Sequence, residues 1–84
     1  MKKSRATKKQ QPDELLLQIA QRLKHLRKEK GYGNYEVFAF DHSIPRSQYG
    51  RYEAAASDMR ITSLATVLKA MDITLADFFA EGFE

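Results

Sequence analysis

The sequence predicts an all-α fold, one compact bundle of four to five short helices. Three observations carry that expectation. Apolar residues recur at steps of three and four in several separate stretches, the spacing that keeps them on one side of a helix. No pair of alternating segments flanks a turn that could close a hairpin. The 84 residues allow one core and no second, because a chain of this size buries only roughly 60 to 65 % of its unfolded surface.

Residues 1–11, MKKSRATKKQQ, hold five positive charges and almost no apolar surface. Ordering them would cost more than their burial returns, so they read as a disordered basic arm before a folded unit spanning 12–84. Pro12-Asp13-Glu14 opens the first helix, with acids where the helix dipole favours them. Leu16, Ile19, Leu23 and Leu26 form its stripe, flanked by Leu15 and Ala20, while Arg22, Lys24, Lys28 and Lys30 face away. Gly31 stops it. Asn34 caps a second helix from Tyr35 to about His42. The aromatic run YEVFAF would also suit a strand, but no partner strand is visible, and Val37, Phe38 and Asp41 fit a one-sided stripe.

Ser43-Ile44-Pro45 breaks that helix, and Pro45 suits the opening of a third, residues 45–54. Tyr49 and Tyr52 point inward from it; Arg46, Ser47, Gln48, Gly50 and Arg51 point elsewhere. Gly50 costs about 1 kcal/mol of helix propensity relative to Ala. After a loop, Thr62 is placed to cap a fourth helix with Leu64, Val67, Leu68 and Met71 on one side. Asp72-Ile73 breaks it, Thr74 caps a last short helix with Leu75, Phe78 and Phe79, and Gly82 ends that.

Composition narrows the function classes. There is no Cys, which excludes disulfides and thiolate metal sites, and His25 and His42 have no second ligand at a metal-binding spacing. No catalytic motif is present, and neighbouring Asp41 and His42 would point about 100° apart on a helix. No enzyme, cofactor or metal is expected. No apolar run approaches the roughly 20 residues of a membrane span, and the Lys-rich start lacks a signal peptide's apolar segment, so the expected place is the cytoplasm. A membrane-surface role for helix 1 would need Leu16, Ile19, Leu23 and Leu26 exposed, whereas the core requires those same residues. Charge is uneven. Residues 1–30 hold ten Lys/Arg against three acids, and residues 31–84 hold four against eight. The first part is suited to a polyanion.

Within 31–55, two short helices joined by a tight turn carry Arg, Ser, Gln and Arg outward on the second. A DNA major groove, about 12 Å wide, admits one such helix. Arg46 and Arg51 can reach guanine edges or phosphates, Gln48 can pair with adenine, and Ser47 is short enough to allow close approach.

These residues resemble the phage-repressor and Cro-like helix-turn-helix family, also called the xenobiotic-response-element type. IAQRLKHLRKEKG (19–31) is similar to that family's first helix. NYEVFAFDHSIPRSQYGRYEAA (34–55) runs without a gap along its helix-turn-helix, matching at Glu36, Ala39, Ile44, Arg46, Ser47, Arg51 and Glu53. LATVLKAMDITLADFF (64–79) is similar to its closing helices. Ser43 stands where the family has a turn Gly, which asks a non-glycine residue to take positive φ. Pro45 replaces a capping Ser/Thr, Tyr35 a Gln, and Ala54-Ala55-Ala56 an Arg-Gly followed by basic residues. The first turn is one residue longer.

The resemblance implies a lambda-repressor-like fold and binding to double-stranded DNA. It implies base readout by Arg46, Ser47, Gln48 and Arg51, phosphate contacts from Asn34, Tyr35 and Arg60, and a structural ion pair between Arg27 and Glu53. The arm residues Lys2, Lys3, Arg5, Lys8 and Lys9 would add sequence-independent affinity, with a log-log salt slope near about −4.5 for five contacts. One reading half per chain is small, so a homodimer on a palindrome is expected, with half-sites about 34 Å apart. A candidate dimer or partner surface is the acidic, Phe-rich end: Asp72, Asp77, Glu81 and Glu84 with Phe78, Phe79 and Phe83. Those Phe could equally close the core. The alternative to a transcriptional regulator is a protein-interaction or antitoxin-like module that keeps the fold and binds DNA weakly.

Overall fold

The longest apolar stripe makes the longest helix, α1 (Pro12–Glu29). The computed structural model describes residues 12–83; the arm 1–11, with its five basic candidates, and Glu84 lie outside them. Along the described residues α1 is followed by α2 (Tyr35–Asp41), α3 (Arg46–Glu53), α4 (Ile61–Ala70) and α5 (Leu75–Phe79), with no strand among them. YEVFAF is therefore helical. Asn34 decides its start, since its side chain accepts from the amides of Glu36 (2.7 Å) and Val37 (3.3 Å) and satisfies two of the first turn's free donors.

α1, α2, α3 and α4 all end alike. At each C-terminus one residue turns left-handed and the next amide bonds back five residues: Tyr32 to Arg27, Ile44 to Ala39, Ala56 to Arg51, and Ile73 to Leu68, at 2.8–3.1 Å. Only the first of these ends uses glycine, Gly31. Ser43, Ala55 and Asp72 hold φ of 59°, 55° and 59°. Ser43 takes the positive φ that its position demands, and Ala55 and Asp72 do so as well. Each non-glycine residue there is strained by about 1 kcal/mol or more, which the backbone bonds and the packing around the turn offset.

The core joins Ile19, Leu23 and Leu26 of α1 to Phe38, Ala39, Tyr49 and Tyr52 of α2 and α3. Leu64, Val67, Leu68, Met71 and Phe78 close it from the other side. Leu15 and Leu17 of α1 are exposed, but Ile19, Leu23 and Leu26 are buried, which takes away the continuous apolar stripe that a membrane-surface role for α1 needs. No helix among the described residues is long and apolar enough to cross a membrane.

Several sequence expectations need correction. Arg22 does not face away: its side chain is 13 % exposed and clasps α5. Val37 is 50 % exposed, because Phe38 and Ala39 take the inward direction and the preceding residue is turned out by about 100°. Pro45 is the N-cap of α3 and not its first helical residue, and it offers no side-chain cap. Thr62 lies inside α4, whose N-cap is Arg60. Its carbonyl instead accepts from the Thr66 hydroxyl at 3.0 Å. α5 stops at Phe79, ahead of Gly82, and His42 is half-buried against Phe38, with ring centroids 4.8 Å apart. Thr74 does cap α5, accepting from the Asp77 amide at 3.0 Å.

Candidate nucleic-acid interface

α3 is held from below by one side and offers the other. Tyr49 and Tyr52 are buried, and Glu53 reaches through the same side to Arg27 of α1. The two side chains, only 5 % and 6 % exposed, meet in a fork: Arg27 Nε donates to Glu53 Oε2 at 2.7 Å and Nη2 to Oε1 at 2.9 Å. Nη1 donates to the Tyr32 carbonyl at 2.7 Å. Hydrogen bonds to Glu53 hold the guanidinium pKa above its ordinary value, against the burial that would lower it. A fork of this kind sets both the distance and the rotation of α3 relative to α1.

Tyr49 lies beside this pair. Its hydroxyl is buried within electrostatic reach of Glu53 and Arg27 but makes no hydrogen bond of good geometry. Burial first, and Glu53 second, push the phenol well above its usual range. Tyr32 braces the opposite end of α2, donating from its hydroxyl to Asp41 Oδ2 at 2.9 Å and placing its ring edge-on to Phe38. That bond to Asp41 raises the Tyr32 pKa.

Arg46, Ser47, Gln48 and Arg51 are all exposed on α3. Two of them are engaged. Arg46 Nε stands 3.8 Å from Glu36 Oε2 of α2, and Gln48 Nε2 donates to the Tyr52 hydroxyl one turn on. The exposed pair to Glu36 is weak and can open on ligand binding. Asn34 is occupied as the cap of α2. Tyr35 lies across α3, and Gly50 explains how: a Cβ there would sit 2.8 Å from Tyr35 Cε1. The helix-weakening glycine is the seat of the Tyr35 ring. Arg60 is exposed at the head of α4, on a different element from the other phosphate candidates. α2 and α3 together bring Asn34, Tyr35, Arg46 and the rest of the α3 group into one neighbourhood.

Four contributors to this region were not legible as such in the sequence: Glu36 as the partner of Arg46, Gly50 as the seat of Tyr35, Tyr32 as the brace of α2, and exposed Phe40. Gly50 carried a signal, since a glycine inside a short helix costs propensity that packing against a neighbour can offset. Compared with protein-family models, curated proteins and solved structures, the chain matches none.

Proposed function

We propose that this chain is a sequence-specific DNA-binding transcriptional regulator of the helix-turn-helix type, with α3 lying in the major groove. The observation that supports it is the division of α3. One side is locked to α1 by a buried bidentate pair, and the other presents Arg46, Ser47, Gln48 and Arg51 to solvent on a rigid base. Rigid presentation of bidentate donors is what base-edge readout requires. Arg46 and Arg51 take guanine edges, Gln48 takes adenine, and Ser47 permits close approach. Asn34 and Tyr35 at the start of α2, with Arg60, meet the backbone, and the basic arm adds salt-sensitive affinity. The working form is a two-fold dimer on a palindrome in the cytoplasm.

A second reading, a protein-interaction or antitoxin-like module with weak DNA binding, is favoured by Glu36 beside Arg46 and by exposed Phe40. Selection from a random duplex library followed by anisotropy between about 50 and 200 mM salt separates the two. An enriched palindrome that still binds at the higher salt, with Arg51→Ala weakening it by about 1–3 kcal/mol at unchanged folding stability, supports the regulator. Binding that is sequence-blind and abolished by salt overturns it in favour of the module.

A further inference from the structure

Among the described residues Phe40 is the most exposed large apolar side chain, at 83 %, and Val37 one turn before it is half exposed. Residues three apart share a helix face, so the two form a continuous strip on the outside of α2. Beside the strip runs a groove of about 410 Å³, lined by Val37, Phe40 and Ile44 and rimmed by Asn34, Glu36 and Arg46. Scattered single apolar residues are ordinary on a surface, but a projecting ring next to an apolar groove is a knob beside a hole.

The rim indicates what occupies it. It holds one acid and one base, Glu36 and Arg46, both substantially exposed. A partner of a single charge sign would meet one like charge there. A two-fold-related copy of the same surface meets each with its opposite, because an isologous contact sets residue i against j and j against i. The phenylalanines at the other end are less available: Phe78 is buried, and Phe79 and Phe83 stack on it and on each other at centroid distances of 4.8–5.7 Å.

The geometry points to the α2 face as a docking surface for a second copy of this chain. Phe40 of each copy enters the Val37/Ile44 groove of the other, and Glu36 and Arg46 exchange partners across the axis. A patch of a few side chains falls below the roughly 1,200 Å² that stable interfaces bury, so the dimer is transient. This inference rests on the surface and not on the DNA reading. Arg46 cannot serve this axis and a base edge at once, so the α2-face dimer is distinct from a palindrome-bound pair and competes with DNA, and it is tested without DNA.

Sedimentation equilibrium across the micromolar range should show reversible dimerisation of the full chain. Phe40→Ser should weaken it by about tenfold or more with an unchanged melting temperature, because the side chain is already in water. Glu36→Arg and Arg46→Glu should each be monomeric alone. Mixed together they should form a heterodimer, since every pair across the axis is then attractive while neither chain regains its internal pair. Adding Phe40→Ser to both should abolish the mixed dimer. A wild type that stays monomeric throughout, a dimer indifferent to Phe40→Ser, a mixture that fails to associate, or one that associates without Phe40 would each overturn the proposal.

Discussion

Arg22 and Arg27 stand five residues apart on α1, and each holds another helix in place through different chemistry. Arg27 is enclosed and meets a carboxylate in a fork. Arg22 lies nearer solvent and donates to main-chain carbonyls at the end of α5, from Nε to Phe78 at 3.1 Å and from Nη2 to Asp77 at 3.3 Å, with Glu81 at 3.9 Å. The Phe78 carbonyl is among those that a helix end leaves for outside partners, that of Asp77 also accepts from the Ala80 amide at 3.3 Å, and both lie at the negative end of the helix dipole. The contrast lies in what replaces the arginine once it is lost. Water can reach the exposed end of α5, whereas nothing can solvate Glu53 inside the core. The position of α3, the proposed reading helix, therefore depends on an irreplaceable contact, and that of α5 on a replaceable one.

The largest expected effect follows from breaking the enclosed pair. Glu53→Ala strands the Arg27 charge and should destabilise by about 3–5 kcal/mol in a denaturant titration; a loss under about 1 kcal/mol would mean that the site opens to water and the contrast fails. Arg27→Lys keeps the charge but cannot make the fork. It should fall between that value and wild type, and a loss equal to Glu53→Ala would show that geometry matters as much as charge. Arg22→Met should cost about 1–2 kcal/mol, with faster amide exchange confined to α5; loosening of α3 as well would merge the two regions into one cooperative unit.

The smallest effect at neutral pH belongs to Tyr49→Phe, because the hydroxyl it removes makes no hydrogen bond of good geometry. Its signature is in alkali. An unfolded tyrosine titrates near pH 10, and the buried Tyr49 phenol titrates above that. The unfolded chain therefore loses its proton first, and stability present below about pH 10 declines as pH rises past it. Tyr32, also raised by its bond to Asp41, acts in the same direction. Tyr49→Phe should flatten the decline without removing it. An unchanged alkaline slope would show that Tyr49 is not the group responsible.

What could be read along the chain was local. Helix existence followed from the Leu16–Leu26 stripe, from Asn34 and Thr74 as caps, and from Pro45 as a breaker, because propensity, capping and periodicity act within a few residues. The outward set Arg46, Ser47, Gln48 and Arg51 was legible for the same reason: Tyr49 and Tyr52 mark the inward side of α3. The Arg27–Glu53 pair was implied by resemblance alone, since 26 residues separate its members and no local rule links them. Arg22 and Val37 were misplaced because periodicity gives a helix its faces but not the neighbours that cover them. A cation at the edge of a stripe reads as solvated until a helix end is packed against it.

Only the tertiary arrangement decided that Gly50 would receive Tyr35, that Glu36 would stand over Arg46, and that Phe40 would be left outside. The physical reason is common to these cases. Backbone and capping energies depend on residues near in sequence. The worth of a side chain in a core, an ion pair or a groove depends on what another element places beside it.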